Sequence, residues 1–136
     1  MTTKIMSLLL LISMGFIACK KETTTQPKTT YEKILGKWKL VTTVTNDYYS
    51  GSPHRDTIVW PAGDYIDFRI DGKAYGYNSG SYDTSAYGII NNSKLWIDDV
   101  SYVFDIEILT DTDLQVYRKE IISPTEYSEG TARVKR

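Results

Sequence analysis

The sequence predicts an all-β domain, a sandwich or barrel of antiparallel strands. Three observations predict it. Apolar and polar residues alternate in short runs, and turn signals interrupt them roughly every 8–12 residues. Eleven tyrosines among 136 residues, with frequent Val, Ile and Thr, suit half-buried pleated strands. Helical periodicity is absent beyond one turn at Tyr31-Glu32-Lys33-Ile34-Leu35.

The strands follow an export signal. One positive charge, Lys4, precedes an uncharged run from Ile5 to Ala18. A membrane-spanning helix needs roughly 20 apolar residues. A shorter run after a basic start reads as a secretory signal peptide, residues 1–18. Cys19 follows, the only cysteine in the sequence. A disulfide within the chain and a cysteine metal site are thereby excluded. Phe16-Ile17-Ala18-Cys19 resembles the lipobox of bacterial lipoproteins, with Phe16 where Leu is usual. The resemblance implies lipidation of Cys19: acyl chains such as palmitate on its sulfur and on the amine freed by cleavage behind Ala18. Several chains exceed the marginal anchoring that one provides. The stretch from Lys20 to Thr30 has no apolar residue for a core. With Cys19 it reads as a flexible tether, residues 19–30, at most ~36 Å long. Lys20-Lys21-Glu22 resembles the surface-export signals of Bacteroidetes-type lipoproteins. The expected location is the outer membrane, at the cell surface or the periplasmic face.

Residues 31–136 make one small domain with a modest core. Signal removal takes away only Lys4 of the 16 basic residues and none of the 17 acidic ones, so the balance stays near neutral. No basic patch stands out, which argues against nucleic acid as a partner.

The clearest local signal is Tyr65-Ile66-Asp67-Phe68-Arg69-Ile70-Asp71-Gly72-Lys73-Ala74-Tyr75-Gly76-Tyr77. Asp71-Gly72 suits a two-residue turn, since both positions tolerate positive φ. That turn sets Phe68 opposite Tyr75 and Ile66 opposite Tyr77. With a side-chain period of two, Ile66, Phe68, Tyr75 and Tyr77 then share the inner face, and Tyr65, Asp67 and Arg69 the outer one. Further strands are expected at 86–90 and 94–98 around Asn91-Asn92-Ser93, at 101–109, at 114–119 and within 125–135. In the 101–109 strand Tyr102, Phe104, Ile106 and Ile108 share one face. Residues 46–55 read as the longest loop.

Ile34-Leu35-Gly36-Lys37-Trp38 brings a family into view. A Gly-x-Trp opening the first strand, then Phe68-Arg69-Ile70-Asp71-Gly72, then Leu114-Gln115-Val116, resembles the bacterial lipocalin-like domain lipoproteins over residues 31–119. The resemblance implies an up-and-down β-barrel of about eight strands, wide enough to hold one small ligand or to fill itself with side chains. It also implies that Trp38 packs across the closed end beneath an arginine. Arg118, on the face of Leu114 and Val116, is the first choice for that cation–π contact, worth ~1–2 kcal/mol when partly desolvated. Arg133 is the second.

Catalytic chemistry finds little support. His54 lies in Gly51-Ser52-Pro53-His54-Arg55-Asp56, with no nucleophile or orienting group placed beside it by sequence. Asp98-Asp99 and Asp111-Thr112-Asp113 read as turn chemistry. No histidine cluster suggests zinc, and no cofactor is implied. Two readings remain. One is non-catalytic binding of a small apolar or amphipathic molecule by a wall that includes Ile66, Phe68, Tyr75, Tyr77, Tyr102 and Phe104. The other is a filled barrel whose segment 71–88, rich in Tyr, Gly, Ser and Asp, meets a glycan or protein.

Overall fold

The computed structural model describes residues 26–136. The expected signal peptide, Cys19 and most of the expected tether lie outside the described residues. A five-residue helix, α1 (Thr30–Ile34), precedes nine strands: β1 (Gly36–Tyr49), β2 (Ser52–Val59), β3 (Tyr65–Phe68), β4 (Lys73–Asn78), β5 (Ser81–Ile90), β6 (Lys94–Ile97), β7 (Asp99–Leu109), β8 (Asp113–Ser123) and β9 (Glu126–Lys135).

Local chemistry sets the strand ends. Ser50-Gly51 joins β1 to β2 and Ser79-Gly80 joins β4 to β5, all four residues at positive φ. That is the two-residue geometry whose twist matches the strands it links. β2 and β3 pair in succession with the same strand, β2 against the outer part of β1 and β3 against Gly36 to Lys39. They are two halves of one wall position, interrupted at residues 60–64. Pro61 lacks an amide to pair and Gly63 adopts φ 114° there. Each later strand pairs with the next, and β9 returns to β1 from Lys39–Lys135 to Tyr48–Tyr127. The result is the expected closed, antiparallel eight-strand barrel.

One end is shut. Ile34, Trp38, Phe68, Tyr87, Leu95, Leu114 and Val134 form its buried core. The helix α1 lies across it. Thr29 caps the helix, its hydroxyl accepting from the Glu32 amide while the Glu32 carboxylate accepts from the Thr29 amide. Thr30 donates to the Asn92 carbonyl in the β5–β6 turn, and Tyr31 to Ile70 in the β3–β4 turn. Thr29 and Thr30, read from sequence as tether, therefore belong to the fold.

The expected arginine changes identity. Arg136 places its guanidinium 4.1 Å from the Trp38 ring centroid and donates to the Lys33 and Leu35 carbonyls. Arg118 faces inward, as its position two residues beyond Val116 requires, but it lies toward the other end of the barrel, over Tyr102. Arg133 points outward and pairs with Asp113 at 3.2 Å.

Two further expectations are corrected. Residues 46–55 are strand and tight turn, because β1 and β2 pair out to Tyr49–Ser52. The β3–β4 hairpin has a three-residue loop rather than two. The Arg69 amide donates to the Lys73 carbonyl, and Gly72 (φ 77°) takes the left-handed position. Phe68 thus pairs with Ala74, Asp67 with Tyr75, Ile66 with Gly76 and Tyr65 with Tyr77. A slip of one residue turns every side chain of a strand to the opposite face. Ile66 and Phe68 stay inside. Tyr75 and Tyr77 stand outside.

Candidate functional site at the open end of the barrel

The end opposite α1 is lined rung by rung by β1, β9 and β8. Leu40, Val134 and Leu114 form one rung, the upper layer of the core. Thr43, Ala132 and Val116 lie above it. Thr45, Gly130 and Arg118 follow, and Asp47, Ser128 and Glu120 stand at the mouth. Polarity therefore rises from floor to rim. Thr43, Thr45, Phe104, Arg118, Glu120, Ser128, Gly130 and Ala132 line an open cavity of about 200 Å³.

Gly130 makes room. A strand glycine often marks a place where another group comes close. Here its missing side chain leaves space between Thr45 and Arg118. The Arg118 guanidinium lies 4.7 Å from the Tyr102 ring centroid and 3.1 Å from the Glu120 carboxylate. The Ser128 hydroxyl donates to Asp47 across the β1–β9 seam. Trp60, at the break between β2 and β3, donates its indole N–H to Thr43 Oγ1 at 3.0 Å. The site offers a cation, carboxylates and hydroxyls around one aromatic wall. It can orient the polar end of a molecule whose apolar part rests on Phe104 and Ala132.

The six expected wall residues separate. Phe104 lines this cavity, and Tyr102 carries the arginine that does so. Phe68 is 2% exposed and belongs to the packed core, with Ile66 against it. Tyr75 and Tyr77 lie on the outer surface. Arg118 was expected at the closed end and lines the open one. Thr43, Thr45, Glu120, Ser128, Gly130 and Ala132 were not singled out from sequence. Alternation marks one face of each strand, and β8 and β9 do alternate. What was missing was the register that aligns them across the seam.

Other candidates fall elsewhere. His54 lies in β2 opposite Asp47, on a strand exposed along its length. Among the described residues no three His, Cys, Asp or Glu side chains come together as a metal site. Arg69 pairs with Asp67 at 3.0 Å on the outer surface, as expected. Within the closed end, burial first and then the neighbouring Tyr31 push the Tyr87 phenol well above the usual tyrosine range. Its hydroxyl donates to the Arg69 carbonyl at 2.8 Å.

No family model matches the chain, and no curated protein matches it. Among solved structures, a deswapped triple mutant of bovine odorant binding protein aligns with 76% of this chain and 74% of its own, at 16% identity and a TM-score of 0.43.

Proposed function

We infer that this chain is a lipid-anchored barrel that holds one small amphipathic molecule at its open end and does no chemistry on it. The observation that carries the reading is the cavity of about 200 Å³ beneath a polar rim. Typical ligand pockets span roughly 300–1,000 Å³, so the ligand is compact. Arg118, Glu120, Thr43 and Thr45 fix its polar end, and Phe104 and Ala132 receive the rest. The Ser128 hydroxyl is committed to Asp47 without a histidine between them, which suits positioning better than nucleophilic attack.

The anchor reading rests on the sequence Phe16-Ile17-Ala18-Cys19 and on the polar stretch behind it. Residues 1–18 are removed, Cys19 is acylated, and the barrel is displayed from the outer membrane, at the cell surface or its periplasmic face. Labelling cells with an alkynyl fatty acid checks it. The wild-type chain takes the label, and Cys19→Ser does not.

Native mass spectrometry of residues 20–136, without acyl chains, tests the ligand. Hexanoic acid and hexylamine are the probes. One-to-one adducts with either, weakened in Gly130→Val, support the reading. A Cβ at residue 130 makes only ordinary contact, 3.6 Å from the Val44 carbonyl oxygen, so this variant narrows the cavity and keeps the fold. A bare polypeptide mass with both probes would sink it.

A further inference from the structure

A second cleft opens on the inner face of the wall built by β3, β4 and β5. The register sets its lining. Ile66 pairs with Gly76, Gly76 with Asp83, and Asn78 with Ser81 across the β4–β5 turn. All of these face inward, as does Leu40 of β1, and they line a cleft of about 460 Å³. The rings of Tyr65, Tyr77 and Tyr82 stack on the outer face of the same strands. The cleft shares no lining residue with the cavity at the β1–β9 seam.

Its charge is one-sided. Asp83 Oδ1 takes the Thr84 amide at 2.8 Å, which leaves Oδ2 for a ligand. Behind the lining lies Asp64, two residues before Ile66 and 3% exposed. Its backbone carbonyl accepts the Leu40 amide at 3.0 Å, and its Oδ1 accepts the Ser79 amide at 3.1 Å. Asp64 is thus wedged between two sides of the lining. Its Oδ2 is buried with no hydrogen-bond partner among the described residues. A buried oxygen left unpaired costs free energy, and a charge placed near it answers that cost through a wall of low dielectric. None of the lining residues is a cation. On the adjoining part of β1, Lys37 and Lys39 stand on the outer face, opposite Asp67 and Tyr65.

The rest of the lining shapes the ligand. The Asn78 side-chain carbonyl and the Ser81 hydroxyl accept N–H groups beside Asp83. Leu40 and Ile66 form an apolar floor. Between Ile66 and Asp83, Gly76 leaves a flat slot, where a Cβ would meet nothing nearer than 3.9 Å. The volume falls within the range of small-molecule pockets, roughly 300–1,000 Å³, and takes a broader body than the seam cavity does. We propose that this cleft is a second binding site, for an arylalkyl amine, with the ammonium on Asp83, Asn78 and Ser81 and the ring on Leu40, Ile66 and the bare backbone of Gly76.

Isothermal calorimetry of the full chain in a nonionic detergent tests it. Tryptamine is the probe, and indole-3-propionate, the same ring with a carboxylate on its arm, is the control. Tryptamine binds with Kd of about 1 mM or tighter, and the acid binds at least about tenfold more weakly. Asp83→Asn keeps an oxygen for the Thr84 amide and weakens tryptamine about 3- to 10-fold, the scale of one partly exposed charge pair. Gly76→Val fills the slot and weakens it at least about tenfold, with the thermal midpoint no lower. Gly130→Val, in the seam cavity, leaves it intact. No binding of tryptamine at about 10 mM overturns the proposal. So does equal binding of the acid, or binding undiminished by Asp83→Asn. Loss of binding in Gly130→Val would assign the amine to the seam cavity and overturn the proposal while leaving the barrel's own ligand reading in place.

Discussion

Arg136 lies over Trp38, its guanidinium carbon 4.1 Å from the ring centroid, and the Trp38 indole donates to the Ile34 carbonyl at 2.7 Å. Two orphan carbonyls at the end of α1, those of Lys33 and Leu35, accept from the same guanidinium. One side chain thus ties helix, first strand and last strand together.

Replacing Arg136 with Ala removes the ring contact and both carbonyl bonds. Arg136 is exposed, so solvent weakens each of these terms. The expected loss is about 1–3 kcal/mol, read from urea denaturation midpoints at constant slope. Arg136→Lys restores little, because an ammonium cannot lie on the ring and reach both carbonyls. Arg118→Ala, at the other end of the barrel, removes the ion pair to Glu120 and the contact with Tyr102 but no carbonyl bonds, for a smaller loss of about 0.5–1.5 kcal/mol.

The contrast between these two arginines shows what was legible in the sequence. The face of Arg118 was readable, since it follows Leu114 and Val116 at a period of two. Its height in the barrel was not, because strand length decides that and β8 runs on to Ser123. The β3–β4 hairpin failed for a related reason. Asp71-Gly72 signals a turn, yet a two-residue and a three-residue loop both use a left-handed glycine. They differ by one residue of register, which sends Tyr75 and Tyr77 outside. Fold class and the turn at Asn91-Asn92-Ser93 needed only local pattern, whereas the role of Trp38 came with the family resemblance. The open-end cavity needed the β1–β9 seam, which joins residues over 80 positions apart.

That register is open to a chemical test. In the Cys19→Ser background, cysteines at 67 and 75 face each other directly and share the outer face. They form a disulfide under mild oxidation, because opposed strand positions hold Cβ atoms about 4.5–5.5 Å apart. Cysteines at 68 and 75 point to opposite faces and stay reduced. The reverse pattern would restore the two-residue loop.

Tyr87 sets an alkaline limit. Burial first, then Tyr31, holds its phenol above the ordinary value of 10. In the unfolded chain it ionises near pH 10. Above that pH the unfolded state binds fewer protons than the folded one, so stability falls as pH rises. Full stability holds below about pH 10. Urea midpoints at about pH 9 and pH 11 show the decline, and Tyr87→Phe makes it shallower. Part of the slope remains, since burial and Glu129 raise Tyr117 as well.

Two strand glycines are expected to respond in opposite ways. At Gly88 a Cβ would lie 2.5 Å from Trp96 Nε1, with further ring atoms at 2.8 and 2.9 Å. Gly88→Ala must push the indole off the strand it covers, at a cost of about 1–3 kcal/mol. At Gly76 the nearest atoms are backbone oxygens at 3.9 and 4.0 Å. Gly76→Ala fits and reduces the freedom of the unfolded chain, for a gain of about 0.4–1 kcal/mol. Thermal midpoints of the two variants, moving down and up respectively, check both.

The Arg118–Glu120 pair makes the open end selective. The two side chains are 3.1 Å apart, and neither is fully buried. Glu120→Gln keeps the size of the side chain and leaves Arg118 as the charge within the cavity lining. Hexanoate then gains an unpaired cation, and hexylamine loses its carboxylate. An exposed charge interaction is worth up to about 1 kcal/mol, so the ratio of hexanoate to hexylamine affinity rises about 3- to 10-fold. Arg118→Gln moves the ratio the other way. Titration of both variants with both probes reads the four affinities. A ratio that stays constant across the variants would place the bound probe away from this pair, and the cavity would lose its claim to the ligand's polar end.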